Sequence, residues 1–156
     1  MELNNHTFDE ITLGQTASLK RTLTEKQIAL FAAASGDINP VHLDAQYAAT
    51  TQFERRIGHG MWLGGLVSAI LGTQFPGPGT IYLNQNLQFK RPVYLDDEIE
   101  VVLTVTEKHE KKPIVTMECI ASNQNNEIVA LGTAVVMAPT EKICVTAPAL
   151  PDVEMA

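Results

Sequence analysis

The sequence has few cysteines and none of the short motifs that mark common cofactor and nucleophile sites. Its two cysteines, Cys119 and Cys144, lie far apart and outside any CxxC pair, which argues against a zinc site or a disulfide framework. No GxSxG, GxGxxG, HExxH or P-loop motif occurs. We therefore expect no metal and no cofactor, and we expect a reducing compartment.

Basic residues and long apolar runs are also scarce. Eleven Lys and Arg stand against eighteen Asp and Glu, so the net charge of -7 disfavours binding to nucleic acid. No apolar run approaches the roughly 20 residues that span a bilayer, and the N-terminus, MELNNHTFDEITLG, lacks the basic and apolar segments of a secretory signal. The sequence thus predicts a cytoplasmic protein with no membrane partner.

The N-terminal part of the chain predicts one strand and two helices. Residues 16–23, TASLKRTL, alternate apolar and polar positions, as in a strand with one buried face. Thr24 with Gln27 three residues later is a capping-box pattern, which predicts a helix over residues 25–34. SGDINPVH follows, and its Asn-Pro pair predicts an ordered loop before a short helix, AQYAAT, capped by Asp44.

The C-terminal part predicts a buried helix and four strands. Residues 60–74, GMWLGGLVSAILGTQ, are apolar on nearly all sides, which indicates a buried helix. Each glycine in it lowers helix propensity by about 1 kcal/mol, so we expect its small residues to pack closely against a sheet. After the turn FPGPG, strand character appears in four stretches: about 80–90, 98–109, 113–122 and 127–137.

This order of elements predicts a single α+β domain over residues 1–138. Its antiparallel sheet is expected to curve around the long central helix. Residues 139–156 contain three prolines and little periodic pattern. This tail is expected to be disordered or to be a linker in a longer parent chain.

Asp37 and His42 are the first candidates for chemistry, because they stand five residues apart in one proline-containing loop. Adding water to an α,β-unsaturated thioester requires a base at the water and an acid at the carbon that receives a proton, and an Asp-His pair supplies both near neutral pH. Spacing alone is more typical of a turn aspartate and a loop histidine with satisfied hydrogen bonds. Both interpretations stay open on this pattern.

Gly60 begins the long helix, where unpaired N–H groups and the positive end of the dipole favour an oxygen that gains negative charge. A simple helix-entry glycine explains the residue equally well. His59 is interpreted as structural. Ser68 either donates into a cavity or bonds back to its own helix. Lys90-Arg91 is a candidate contact for coenzyme A phosphates, although a solvated strand end is the more common role.

A longer pattern joins these candidates. FAAASGDINPVHLDAQYAATTQFERRIGHGMWLGGLVSAIL, followed by FPGPG, IYLNQNLQFKRPVYLDDEI and GTAVVM, resembles the MaoC-like (R)-specific 2-enoyl-CoA hydratases over about residues 10–138. DxNPxH combined with HGM is more specific than either part. The resemblance implies a hot-dog fold, a homodimer, a substrate tunnel near the dimer interface, and neither metal nor bound cofactor.

By position, the resemblance implies that Asp37 and His42 hold the water as an acid/base pair. Gly60 gives its N–H to the thioester oxygen, Ser68 lines the substrate site, and Asn39 belongs to the same site by shaping the loop. The implied reaction is reversible syn addition of water to a trans-2-enoyl-CoA, giving the (R)-3-hydroxyacyl-CoA. Trp62 favours short acyl chains if it points into the site.

Two alternatives remain at this point. A hot-dog thioesterase would use the same fold and oxyanion site, although the DxNPxH context argues against it. A non-catalytic acyl-CoA binding or assembly module of a multidomain enzyme is the alternative from a different class. Which of Asp37 and His42 acts as acid and which as base is also left open, since two interacting groups titrate as a pair.

Overall fold

The computed structural model describes residues 1–155, which form one five-stranded sheet, one two-stranded sheet and several helices. The strands are β1 (Glu2–Asn4), β2 (Thr16–Thr22), β3 (Ile81–Phe89), β4 (Glu98–Lys108), β5 (Ile114–Ser122), β6 (Ile128–Met137) and β7 (Cys144–Thr146). The helices are α1 (Glu25–Ser35), α2 (Pro40–Leu43), α3 (Ala45–Ala49) and α4 (Gly60–Thr73), with a 3-10 turn at Phe8–Glu10.

The five-stranded sheet is antiparallel throughout, in the order β2-β4-β5-β6-β3. Helix α4 contacts β2 and β3, which are the two edge strands, as well as β4. A single helix reaches both edges only if the sheet curves around it. Register shifts that leave one extra residue in each of β3, β4 and β6 add local bending. The predicted α+β domain with a curved sheet around a central helix is confirmed.

Helix α4 is buried along one face rather than all round. Its buried side chains are Trp62, Leu63, Leu66, Val67, Ile70 and Leu71. Met61 is 55% exposed, and Gly65, Ser68 and Gly72 are exposed as well. A Cβ added at Gly65 or Gly72 would meet nothing within 4 Å, so the prediction that these small residues pack against the sheet is wrong within the single chain.

A close backbone approach between β6 and β3 requires glycine at position 132. A Cβ built there would lie 1.9 Å from the carbonyl oxygen of Asn86 on the paired strand. No side chain fits that space without moving the strands apart. Gly132 therefore sets the spacing of this edge of the sheet.

The caps predicted in the N-terminal half are present. The Thr24 hydroxyl accepts from the Gln27 N–H, and the Asp44 carboxylate accepts from the first N–H groups of α3. The Gln27 side chain does not complete the capping box, since its Oε1 is buried and lacks a partner among residues 1–155. Helix α2 was not predicted: Pro40 occupies its first turn and Asn39 caps it by accepting from the Val41 N–H.

The two ends of the described chain meet. Strand β7 lies in the tail predicted from Pro139, and it pairs with β1 in an antiparallel ladder that the sequence pattern did not predict. The buried Asn5 side chain joins the two segments, accepting from the Ile143 N–H and donating to the Glu141 carbonyl. That the tail links to a further domain stays a prediction.

None of the helices formed by residues 1–155 has the length and apolar character needed to cross a membrane.

Candidate active site

The turn that ends α1 fixes the carboxylate of Asp37. Gly36 takes a left-handed conformation with φ 77° and terminates the helix. The Ser35 hydroxyl accepts from the Asp37 N–H at 3.1 Å, and Asp37 Oδ1 accepts from the Asn39 N–H at 3.2 Å. One carboxylate oxygen is thereby anchored to the loop while Oδ2 is left to face the site.

His42 lies on α2 and is buried, with 7% of the residue exposed. Its Nδ1 lies 2.8 Å from the Ile57 carbonyl oxygen. A carbonyl only accepts, so this bond assigns the ring proton to Nδ1 and leaves a lone pair on Nε2. Arg56 holds the same segment by donating from Nε to the His42 carbonyl at 2.6 Å, and its Nη1 donates to Glu25.

The reactive atoms of Asp37 and His42 face each other. His42 Nε2 lies 3.9 Å from Asp37 Oδ2, which is too long for a direct hydrogen bond. Burial lowers the pKa of His42, and the stacked His59 ring acts in the same direction, while the Ile57 carbonyl and Asp37 oppose the shift. At neutral pH both atoms are therefore acceptors, an arrangement that suits one water molecule donating to each.

His59 and Gly60 bring the start of α4 to this pair. The His59 ring stacks on the His42 ring with centroids 3.8 Å apart, and its Nε2 lies 3.0 Å from the Asp37 carbonyl oxygen. The Gly60 N–H has no acceptor among residues 1–155. It is a free donor at the positive end of a 14-residue helix.

A cavity of about 330 Å³ opens beside these groups. His42, His59 and Gly60 form its polar side. Its apolar wall includes Phe53, Ile57, Leu63 and Phe89, and the charged residues Lys90 and Arg91 also line it. A Cβ on Gly60 would come within 3.0 Å of the Phe89 ring, so glycine keeps the space over the N–H open.

The predicted site residues do not all meet. Asp37, His42 and Gly60 come together, and Asn39 lies beside them as the cap of α2. Ser68 is on the exposed face of α4 and does not line this cavity in the described chain, so its role stays a prediction. Trp62 is buried in the core. The aromatic wall and the His59 contacts were not predicted, because they join segments distant in sequence.

The geometry of the Asp37, His42 and His59 side chains suits a metal ion less well than it suits acid/base chemistry. Asp37, His42 and His59 each place a potential ligand atom within 4.8 Å of the others. Imidazole nitrogens bind metals within the ring plane, and these two rings are stacked with only 28° between their planes. Their lone pairs therefore run side by side instead of converging on one ion.

The curved antiparallel sheet around one central helix is the architecture of a hot-dog domain, and an Asp-His pair and a free N–H lie together at the start of that helix. A model of the MaoC like domain matches residues 9–126. The chain belongs to this family.

Several relatives of known activity or structure are similar over most of the chain. The (R)-specific enoyl-CoA hydratases of Rhodospirillum rubrum and Aeromonas caviae are both 46% identical to it, covering 86% and 83% of this chain and 92% and 96% of their own lengths. The solved structure of R-hydratase PhaJ1 from Pseudomonas aeruginosa, in the unliganded form, superimposes on this chain with a TM-score of 0.95. The two sequences are 47% identical, and the match covers 100% of each chain.

Proposed function

We propose that this chain is an (R)-specific enoyl-CoA hydratase, a hydro-lyase that adds water reversibly to a trans-2-enoyl-CoA to give the (R)-3-hydroxyacyl-CoA. The observation that carries the proposal is the placement of His42 Nε2 3.9 Å from Asp37 Oδ2, beside the free Gly60 N–H. The (R)-specific enoyl-CoA hydratases of Rhodospirillum rubrum and Aeromonas caviae, which match this chain over 92% and 96% of their own lengths, support the same activity here.

Each of these groups has a role in the reaction. A water held between Asp37 and His42 loses a proton to the pair as its oxygen attacks C3 of the enoyl thioester. Negative charge then moves to the thioester oxygen, where the Gly60 N–H and the dipole of α4 stabilise it. The pair returns a proton to C2, and delivery from the same side as the water gives syn addition. Dehydration follows the same steps in reverse.

The substrate proposal extends to the carrier. Lys90 and Arg91 lie on the cavity-lining segment, where their positive charges are suited to phosphates of coenzyme A. Arg91 Nη1 also lies 3.4 Å from Glu127 Oε2. This ion pair partly offsets the positive charge that Arg91 presents to a phosphate. Trp62 does not line this cavity, so the proposed preference for short chains has no support from that residue.

Hydration and thioester hydrolysis are distinguished by one experiment. Purified protein is mixed with crotonyl-CoA while the enone absorbance and free thiol are followed in parallel, and the product is tested with an (R)-specific 3-hydroxyacyl-CoA dehydrogenase. We expect loss of the enone signal without free thiol, and a product that the dehydrogenase oxidises. Release of thiol indicates a thioesterase, and no change in either signal with crotonyl-CoA and longer enoyl-CoAs indicates the non-catalytic binding module.

We also propose that two copies of the chain associate through β3. This strand pairs with β6 along one edge, and its other edge has no partner among residues 1–155. Its exposed side chains include Ile81, Tyr82 and Leu83, an apolar set that a second copy would cover by continuing the sheet. Sedimentation should give about twice the chain mass of 17.0 kDa, and Leu83→Lys should lower it towards one chain. A wild-type mass of one chain would contradict the dimer.

The cytoplasmic location remains part of the proposal. Both cysteines are free, Cys119 buried and Cys144 exposed, as is usual in a reducing compartment. Fractionation of cells producing the protein checks this directly, and recovery in the membrane or secreted fraction would contradict it.

A further inference from the structure

His59 is the N-terminal cap residue of α4, yet its side chain does not cap the helix. The residue is 4% exposed and its ring is turned towards the loop that carries Asp37. It also packs against Phe31 of α1, with ring centroids 4.7 Å apart. The ring is therefore held between the main elements of the site rather than used to end its own helix.

Both members of the acid/base pair touch this ring. The Asp37 carbonyl lies 3.0 Å from His59 Nε2, and the His42 ring stacks on its face at 3.8 Å. Because a carbonyl only accepts, Nε2 carries the proton and donates it. This bond fixes the backbone of the residue whose carboxylate faces His42.

The remaining nitrogen of His59 points to the same conclusion. Nδ1 is buried and lacks a hydrogen-bond partner among residues 1–155. Burying a polar atom without a partner is unfavourable, so an apolar ring would suit this position better if packing were its whole role. The donation from Nε2 to the Asp37 loop is the feature that an apolar ring would lack.

From these contacts we propose that His59 is a positioning residue of the hydration reaction, which holds the Asp37 carboxylate and the His42 ring at the separation needed for the water between them. This inference rests on the proposed function. His59 acts through Asp37 and His42 and is assigned no contact with substrate.

The electrostatic surroundings of His42 allow this role to be measured. Asp37 and His59 face its ring, Arg56 binds its carbonyl and is paired with Glu25, and Lys90 and Arg91 line the same cavity. Burial is the main cause of the lowered His42 pKa, and His59 contributes in the same direction. Removing the second imidazole should therefore raise the pKa of His42.

Two substitutions separate the hydrogen bond from the ring. His59→Phe keeps an aromatic ring for stacking but removes the donor, while His59→Gln keeps an amide donor within reach of the Asp37 carbonyl but removes the ring. We expect His59→Phe to lower kcat about 10-fold or more with KM nearly unchanged, since a small displacement of catalytic groups has a large effect on rate. We expect His59→Gln to retain more of kcat and to move the NMR titration of His42 to higher pH.

His6→Phe is the matched control, because the Nδ1 of His6 is also buried without a hydrogen-bond partner, while its ring lies beside Phe75, away from the site. It should leave kcat and the His42 titration unchanged.

A kcat of His59→Phe within twofold of wild type, or an unchanged His42 titration in His59→Gln, overturns the proposal. If His59→Phe does not fold, the titration and kcat of His59→Gln decide alone. Failure of the wild type to hydrate crotonyl-CoA would instead count against the proposed function, while the titration would still test the His59 contact.

Discussion

His42 and Asp37 present their reactive atoms to each other across 3.9 Å, although they belong to different elements. Asp37 is fixed by the turn after α1, and His42 is fixed by α2 and the Ile57 carbonyl. The 3.9 Å gap and the lone pair on Nε2 together favour a bridging water over a direct bond. The pH behaviour and the effects of substitutions follow from this geometry.

The pH profile should report the neutral form of His42. Burial lowers its pKa below the usual value of about 6.5, so the neutral ring is the folded-state form at and somewhat below that pH. We expect kcat/KM for hydration to fall to half its maximum at a pH below 6.5, as His42 gains its proton. The folded state should also lose stability below about 6.5, where an unfolded chain gains the proton first. A half-maximal rate at or above pH 6.5 would contradict this assignment.

Gly60→Ala should impair catalysis without unfolding the protein. The added methyl would lie 3.0 Å from the Phe89 ring and would obstruct the approach of a thioester oxygen to the N–H. We expect kcat/KM to fall about 10²-fold, as for other small misplacements at reacting atoms. Gly72→Ala on the same helix is the control, because its Cβ would meet nothing within 4 Å. Equal kcat/KM values for the two variants would contradict the proposed binding of the thioester oxygen by the Gly60 N–H.

Substitutions of Asn39 test whether its side chain supports the loop or contacts the substrate. Its side chain accepts from the Val41 N–H and so caps the helix that carries His42. Asn39→Ala should reduce stability by about 1 kcal/mol and lower kcat, whereas Asn39→Ser, which restores a capping oxygen, should recover much of both. Urea unfolding and hydration rates provide the comparison. If the serine variant unfolds like wild type but remains as slow as the alanine variant, Asn39 contacts the substrate.

Much of the fold is predictable because its signals are local. Apolar periodicity locates α4 and the four C-terminal strands to within one or two residues, and the Thr24 and Asp44 caps mark helix starts. Helix α2 is too short for a periodic pattern, and β1 and β7 are three-residue strands stabilised by pairing between opposite ends of the chain. The exposure of Gly65 and Gly72 depends on which face of α4 packs against the sheet, and an apolar pattern on nearly all sides of the helix does not indicate that face.

The site is predictable in its residue types but not in its geometry. Asp37 and His42 are close in sequence, and Gly60 is recognisable from the helix that it begins. The protonation of His42 depends on Ile57, 15 residues away, and the support of Asp37 by His59 spans 22 residues. Those contacts form only when the start of α4 packs against the loop, so the sequence indicates His59 as a structural residue without showing which groups it supports.

Gly132→Ala should test the spacing between β6 and β3. Its Cβ would lie 1.9 Å from a backbone oxygen, which the strands relieve only by separating. We expect a loss of about 3 kcal/mol or more in the free energy of unfolding, within the range of severe backbone and packing defects. Gly14→Ala, where φ is 83° but nothing lies within 4 Å, should cost only about 1 kcal/mol. Similar urea midpoints for both variants would contradict the close approach.

The most direct test of the central claim is the initial rate of crotonyl-CoA hydration by Asp37→Asn and His42→Gln, with folding checked by circular dichroism and with the exposed His109→Gln as a control. Acid/base groups typically contribute about 10²- to 10⁴-fold, so each variant should lose at least 10²-fold in kcat while the control keeps the wild-type rate. A rate within twofold of wild type in either site variant would contradict the assignment of Asp37 and His42 as the pair that activates water.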